Sequence, residues 1–485
     1  MEKLNLKPQM VFDYFAQICE IPHASKHEEQ ISRFLQEFGK SLGLETLADE
    51  VGNVLIKKPA TPGYENRKTI ILQGHMDMVC EKRKDVEHDF LKDPIKLVVD
   101  GEWLRADGTT LGADNGIGVA AGMAVLADNS LKHGPINCLF TIDEETGLTG
   151  AEALDANLLQ GDILINLDSE DEGEIFIGCA GGVCNYADYR FVWDTIGGDM
   201  FFMKAEIGGL TGGHSGDDIN KGRANANKLL ARFLCRIAEK YEFYLCDIDG
   251  GNLHNAIPRD AWALFAVPSK DKESVRVDFN IFAAEVEEEF LATDPNMKLV
   301  LQSAEPTHRA IDTECAGKLL KSLRAVFNGV YAMSKDVPGL VETSSNLASV
   351  RRVGDNLIKV TTSQRSSIES ARDDVSDSVR MALELGGATV TTKGHYPGWK
   401  PNVNSEIMKV ACEQYTQLFG GEAKIKAIHA GLECGLFLKK APHLDMISFG
   451  PTMRGVHSPD EKLNIPSTER FWQHLLAILE NAPLK

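Results

Sequence analysis

The chain has 485 residues, 43% of them hydrophobic and 25% charged, and a formal net charge of −20. That length exceeds one typical core, so two or more domains are expected. The acidic balance argues against nucleic acid and anionic membranes as partners, since both want a basic surface. No stretch approaches a membrane span, and the opening Met-Glu-Lys-Leu-Asn-Leu-Lys-Pro lacks the apolar core of a signal peptide. Ten cysteines without a CxxC pair fit reduced thiols of a cytoplasmic protein.

In chain order, Ser25-Lys-His-Glu28 reads as a capping box, followed by a helix with Ile31, Phe34, Leu35, Phe38 and Leu42 at helical spacing. Residues 53–56 read as a strand. Residues 69–75 read as another, whose run Ile70, Ile71, Leu72 marks burial on both faces. Residues 110–118, Thr-Leu-Gly-Ala-Asp-Asn-Gly-Ile-Gly, form a glycine-rich loop ahead of a small-residue helix over 119–126. Strands follow at 136–142, which runs into Asp143-Glu-Glu-Thr-Gly147, and at 163–167, which ends at Asp168. Strands alternating with helices predict an α/β core with a mostly parallel sheet.

From about 187 the pattern changes to one-faced strands (201–207, 261–267, 298–302, 357–362, 389–392) and helices (217–240, 274–291, 316–327, 368–385), which predicts an α+β domain. Pro397-Gly-Trp-Lys-Pro401 is a hinge signal. The α/β pattern then resumes with a helix at 404–419, strands at 423–428 and 446–449, and a last amphipathic helix. The expected organisation is a catalytic domain of residues 1–186 and 398–485, interrupted by a lid domain of residues 187–397.

Acids and imidazoles gather at strand ends and loops of the α/β part: His75 and Asp77, Asp114, Glu144 and Glu145, Asp168 and, much later, His457. In open α/β sheets, sites form outside the carboxyl ends of the strands. Two imidazoles and several carboxylates, without a thiolate, suit a carboxylate-bridged pair of divalent ions about 3.5 Å apart that hold a bridging water. His75 and Asp77 share a side of an extended backbone, so Asp77 can orient the ring. Adjacent Glu144 and Glu145 leave the strand pointing different ways, so one can bind metal while the other serves as general base. Asp143 and Asp171 stay open by spacing alone.

These residues resemble the landmarks of the M20 metallopeptidases: Gly74-His-Met-Asp-Met-Val79, Leu111-Gly-Ala-Asp-Asn-Gly-Ile-Gly118, Asp143-Glu-Glu-Thr-Gly147, Asn166-Leu-Asp168 and His457-Ser-Pro459. With Gly212-Gly-His-Ser-Gly216 and Asn255-Ala-Ile-Pro258, the likeness runs the length of the chain and is greatest to the aminoacyl-histidine (cytosol nonspecific) dipeptidase branch. The resemblance implies a three-layer α/β catalytic domain of phosphorylase/hydrolase-like type with an inserted α+β lid. It implies that His75 and Asp168 hold one metal, Glu145 and His457 the other, and that Asp114 bridges them, with the Asp114–Asn115 peptide bond expected cis. It implies Glu144 as general base, Asp77 as the residue orienting His75, His214 as a lid histidine that polarises the scissile carbonyl, and Asn255 and Arg365 as substrate-holding residues. Arg suits a free carboxylate because its fork binds both oxygens.

The resulting expectation is a cytoplasmic, homodimeric dipeptidase that cleaves unblocked dipeptides, Xaa-His among them, with two divalent ions: zinc first, manganese or cobalt next. The alternatives are an M20 peptidase or amidohydrolase acting on tripeptides or N-acyl amino acids, and a non-catalytic relative.

Overall fold

Ile70, Ile71 and Leu72 have no polar side-chain atom to keep in water, and the strand they begin, Ile70–His75, is buried along its whole length. In the computed structural model, which describes residues 4–485, this strand lies inside an eight-stranded sheet. It pairs in parallel with Ile136–Thr141 on one side and Ile163–Asn166 on the other. Asp445–Ser448 extends the parallel run beyond Ile163–Asn166. Antiparallel strands flank this centre, Val54–Lys58 and Glu45–Ala48 on one edge and Glu174–Cys179 on the other, where Lys424–Ile428 comes last in the order. The α/β class and the largely parallel centre agree with the sequence-based expectation.

The helix Ala113–Ala127 packs on Ile70–His75 and on the helix Gln9–Cys19. Helices Glu29–Ser41, Glu406–Phe419 and Ile465–Glu480 contribute Ile31, Leu35, Ile407, Phe471 and Leu475 to the same apolar core. This compact unit comprises residues 4–178, 399–427 and 432–485 among those described.

Residues 179–398 and 428–431 form the second unit. Its nine-stranded sheet is antiparallel, in the order Lys298–Ser303, Met200–Gly208, Ala261–Pro268, Tyr244–Gly250, Val341–Arg352, Leu357–Ser366, Gly181–Arg190, Thr389–Tyr396, with Gly329–Met333 paired to Val341–Arg352. Helices Ala226–Lys240, Lys272–Phe290, Thr313–Ala325 and Glu369–Leu385 close a second core around Phe233, Phe265, Phe279 and Phe282.

Some elements differ from the sequence-based expectation. Val341–Arg352 is a strand, although it begins Val-Glu-Thr-Ser-Ser-Asn without alternation. Its polar side chains are buried because each finds a partner: Thr343 Oγ1 with Ser366 Oγ (2.9 Å), Ser345 Oγ accepting from Gln364 Nε2 (3.0 Å) and Asn346 Nδ2 donating to Ala256 O (2.8 Å). The helix expected from 217 begins at Ala226, where Asn225 accepts from the Lys228 amide. The expected capping box does not form. Glu29–Ser41 starts without a side-chain cap. Ser25 Oγ donates instead to Asp77 Oδ2 (2.8 Å), and Glu28 Oε1 accepts from the Asp143 amide (3.0 Å). A tertiary partner takes the Ser25 hydroxyl, while Glu28 Oε1 shares the Asp143 amide with the local amide of Lys26 (2.8 Å).

One buried histidine ties stability to pH. His474 Nε2 lies 2.8 Å from Ala411 O, and its ring sits against Tyr415 and Phe449. Burial lowers its pKa to about 4. The unfolded chain therefore takes up this proton first, so the stability His474 supports is complete above about pH 6.5 and is lost as pH falls toward 4. Between pH 7 and 5 the loss amounts to about 2 kcal/mol. His474→Gln keeps a side-chain donor but cannot titrate, so its urea midpoint should fall less than the wild type's over that interval. Equal falls would rule out His474 as a source of the acid lability.

Candidate active site

The parallel strands deliver polar residues at one edge because their acids and imidazole come only at or beyond their carboxyl ends. His75 closes Ile70–His75 and Asp77 follows; Glu144 and Glu145 follow Ile136–Thr141; Asp168 follows Ile163–Asn166. Asp114 enters from the loop that starts Ala113–Ala127, and His457 from a left-handed position (φ 61°) near the end of the chain. The Asp114–Asn115 peptide bond is cis.

Five of these residues meet around Asp114. His75 Nε2 lies 3.2 Å from Asp114 Oδ1 and 3.2 Å from Asp168 Oδ1. His457 Nε2 lies 3.1 Å from Asp114 Oδ2 and 3.0 Å from Glu145 Oε2. Each imidazole nitrogen thus faces two carboxylate oxygens, and Asp114 is common to both sets. A single N–H can serve only one of the two oxygens it faces. Asp168 Oδ1 is accordingly buried without a hydrogen-bond partner, and so is Glu145 Oε1, the oxygen turned away from His457. Donor atoms around a tetrahedral ion with bonds of about 2.0–2.2 Å sit about 3.3 Å apart, so this spacing fits a shared cation on each side of Asp114. The ligand atoms of His75, Asp114 and Glu145 all lie within 4.8 Å of one another.

The electrostatics point the same way. Burial opposes protonation of His75, but the nearby carboxylates of Asp168, Asp114 and Asp77 outweigh it and hold the ring well above its usual range. Hydrogen bonds to Asp114 and Glu145 raise His457 to about 11. Burial pushes Asp168 up to about 7 and lifts Glu144 well above the carboxylate range, with neighbouring acids adding to both. So many acids in one buried place require positive charge.

Asp77 organises the acidic turn. Its Oδ1 lies 3.3 Å from His75 Nδ1 and accepts the Glu144 amide (3.0 Å). Its Oδ2 accepts from Ser25 Oγ (2.8 Å) and the Glu145 amide (3.3 Å). The same carboxylate therefore lies beside the imidazole, whose Nδ1 is 3.1 Å from the Asp77 carbonyl oxygen, and holds the backbone that carries both glutamates. The acids left open by spacing have other partners. Asp143 accepts the hydroxyls of Thr146 and Thr149, and Asp171 pairs with Arg454 at 2.7 Å. Glu28, Asp77 and Asp143 also converge, but amides and hydroxyls already engage their oxygens.

Asn115 joins the Asp114 loop to the Asp168 strand by donating to Leu167 O at 2.6 Å. Its side chain fills a slot in which a Cβ on Gly74 or on Gly118 would come 2.3 or 2.5 Å from Asn115 Oδ1. Those glycines are required by this close approach.

A row of side chains runs beneath the site. Ser448 Oγ donates to Asn166 Oδ1 (2.5 Å), Asn166 Nδ2 to Gln73 Oε1 (2.6 Å), and Gln73 Nε2 to Glu433 Oε2 (2.6 Å), which also accepts from Thr141 Oγ1 (2.9 Å). Glu433 carries no sequence signal for this role. Burial raises it to about 8.

The second unit has its own cluster. Arg365 is buried; it donates to Tyr396 Oη (3.1 Å), its Nη2 lies 3.4 Å from His214 Nε2, and its Nε has no partner. Neither neighbour is a carboxylate. His214 Nδ1 lies 3.3 Å from the amides of Gly216 and Asp217 and 3.5 Å from Asp217 Oδ2, while its Nε2 faces the Arg365 guanidinium. His429 is buried with Nε2 2.7 Å from Ser344 Oγ and Nδ1 unpartnered, and its carbonyl packs over Gly216. Asn255 joins this group through its backbone, accepting from the Ser215 amide at 2.8 Å, while its side chain is exposed. Tyr396 and His429 were not singled out in the sequence. Tyr396 sits beside the hinge signal, and His429 precedes Ala-Gly in a strand-to-helix turn.

Comparison with known proteins gives consistent results. The chain is 44% identical over 484 residues to the cytosol non-specific dipeptidase of Escherichia coli (strain K12), spanning 100% of both chains. It superposes on aminoacylhistidine dipeptidase from Vibrio alginolyticus with a TM-score of 0.94 and 43% identity, over 100% of this chain and 99% of that one. A tripeptidase from Staphylococcus aureus shares the fold at a TM-score of 0.57 and 17% identity, over 98% and 99% of the two chains. Residues 71–481 match the model of peptidase family M20/M25/M40, and with full-length relatives at this identity the chain belongs to that family.

Proposed function

We propose that the protein is a cytoplasmic metal-dependent dipeptidase that hydrolyses unblocked dipeptides, Xaa-His dipeptides among them. The observation that carries this reading is the pairing of each imidazole Nε2 with two carboxylates across the shared Asp114. The names of the Escherichia coli and Vibrio alginolyticus relatives support the substrate class, and the former supports the compartment. In this reading His75 and Asp168 hold one divalent ion, Glu145 and His457 hold the second, and Asp114 serves both. Zinc is the first choice for such a donor set, with manganese and cobalt as alternatives. When bound, the ions supply Lewis-acid polarisation of the scissile carbonyl and make water acidic enough to attack near neutral pH.

The chain's own groups then divide the work. Glu144, lifted above the usual carboxylate range by burial, takes a proton from the attacking water and returns it to the departing amine. Asp77 keeps His75 in the tautomer that presents Nε2. In the second unit, Arg365 takes the substrate's free carboxylate, Asn255 helps hold the substrate and His214 helps polarise the scissile carbonyl. The second unit, proposed as the lid over about 187–397, thereby selects short substrates with a free carboxyl end. A homodimer belongs to the same reading; the edge strand Gly329–Met333, with Tyr331 and Met333 exposed, supports it.

Chelation should abolish cleavage of Gly-His and β-Ala-His, and zinc, manganese or cobalt should restore it while tripeptides and N-acyl amino acids stay intact. Restored activity confined to tripeptides or acyl amino acids would move the substrate class and leave the chemistry. Glu144→Gln should lower kcat by about 10²- to 10⁴-fold with metal content unchanged; loss of metal in that variant would transfer the base role to Glu145. Arg365→Ala should raise KM for dipeptides about 10- to 100-fold and leave dipeptide amides unaffected. An equal effect on the amides would refute carboxylate binding by Arg365.

A further inference from the structure

Glu461 lies four residues beyond His457 and is 2% exposed. A buried carboxylate needs hydrogen bonds or a paired charge. This one accepts four successive backbone amides: Leu111 (2.7 Å) and Gly112 (3.0 Å) on Oε2, Ala113 (2.9 Å) and Asp114 (3.2 Å) on Oε1. Successive amides converge on one anion when the backbone mixes right- and left-handed residues. Gly112 supplies the left-handed step (φ 70°), and a Cβ there would lie 2.9 Å from Met78 Sδ. Asp114 and Asn115 are themselves non-helical (ψ 106° and 27°), so the four amides form a loop cradle ahead of the regular turns of Ala113–Ala127.

The same short segment reaches Asp114 from its other end, through His457 Nε2 at 3.1 Å from Asp114 Oδ2. Residues 457–461 therefore grip Asp114 twice, by the side chain through His457 and by the amide through Glu461. We propose that Glu461 is the positioning residue for Asp114, fixing its loop so that each carboxylate oxygen is presented to one imidazole. The inference rests on the two-ion reading for its effect on metal, and on the loop geometry alone for its effect on the backbone. A glutamine at 461 keeps one acceptor oxygen for four donors and turns an NH₂ group against two of them.

The test compares wild type with Glu461→Gln, and with Glu461→Asp, which keeps the charge on a shorter arm. Zinc affinity is read by chelator competition, geometry by the visible spectrum of the cobalt-loaded protein, and loop order by hydrogen exchange at residues 111–114. In E461Q, zinc affinity should fall about 10- to 100-fold, the cobalt spectrum should shift and the four amides should lose protection. The kcat should fall while KM for a dipeptide stays within about twofold, with E461D intermediate in each readout. Unchanged affinity and spectrum in folded E461Q would overturn the proposal. If E461Q does not fold, unprotected amides at 111–114 in the wild type would overturn it equally. A wild type that binds no zinc would refute the two-ion reading, and the exchange data would still decide whether Glu461 holds the loop.

Discussion

Asp114 has two carboxylate oxygens and an imidazole nitrogen beside each, and much of the first unit is arranged to keep that so. His75 is locked at a strand end, His457 sits in a left-handed turn, and Asn115 anchors the next residue to Leu167. Each imidazole also meets a second carboxylate, Asp168 or Glu145. Hydrogen bonds alone leave an oxygen of each acid orphaned. Such an arrangement is costly as a structural device, because buried charge of one sign repels itself and is poorly solvated. It makes sense as a donor set for cations, where every oxygen and nitrogen counts at once.

The sheet supplies this geometry through its two-residue period. Gln73 precedes His75 by two positions, Asn166 precedes Asp168 by two, and Thr141 precedes Asp143 by two. Gln73 and His75 share a face of their strand, whereas Asp168 and Asp143 lie beyond the ends of theirs, Asp143 with φ 48°. Gln73, Asn166 and Thr141 form the hydrogen-bonded row ending at Glu433. A slip of one residue in any pairing would turn both levels to the wrong face, so the apolar run that sets the register also sets the site. Asp77 extends the logic to the turn, since it bonds His75 and the amides of Glu144 and Glu145 with one carboxylate.

What the sequence shows and what it hides follow from this. A polar residue at the end of an apolar strand stands out, so His75, Asp77, Glu144, Glu145 and Asp168 are visible as a set, and the structure gathers all but Glu144 and Asp77 directly around Asp114. Glu461 and Glu433 stay hidden because they act on backbone amides or amide side chains, which leave no spacing pattern. Ser25 and Glu28 mislead because their local pattern matches a helix cap, while Asp77 and the Asp143 amide are more than fifty positions away. Val341–Arg352 is missed for a related reason: its burial depends on hydroxyl and amide pairs with Leu357–Ser366, and no apolar alternation announces it.

The acids of the first unit show how one functional group serves different ends according to what it accepts. Asp114, Asp168 and Glu145 face imidazoles and each other, where charge is concentrated. Glu461 faces four amides of the Asp114 loop, so its negative end is met by backbone dipoles. Glu433 faces a side-chain amide and a hydroxyl, and burial pushes it up to about 8. It thus completes the row beneath His75 and Asp168 through hydrogen bonds to Gln73 and Thr141 and not through a further ion pair.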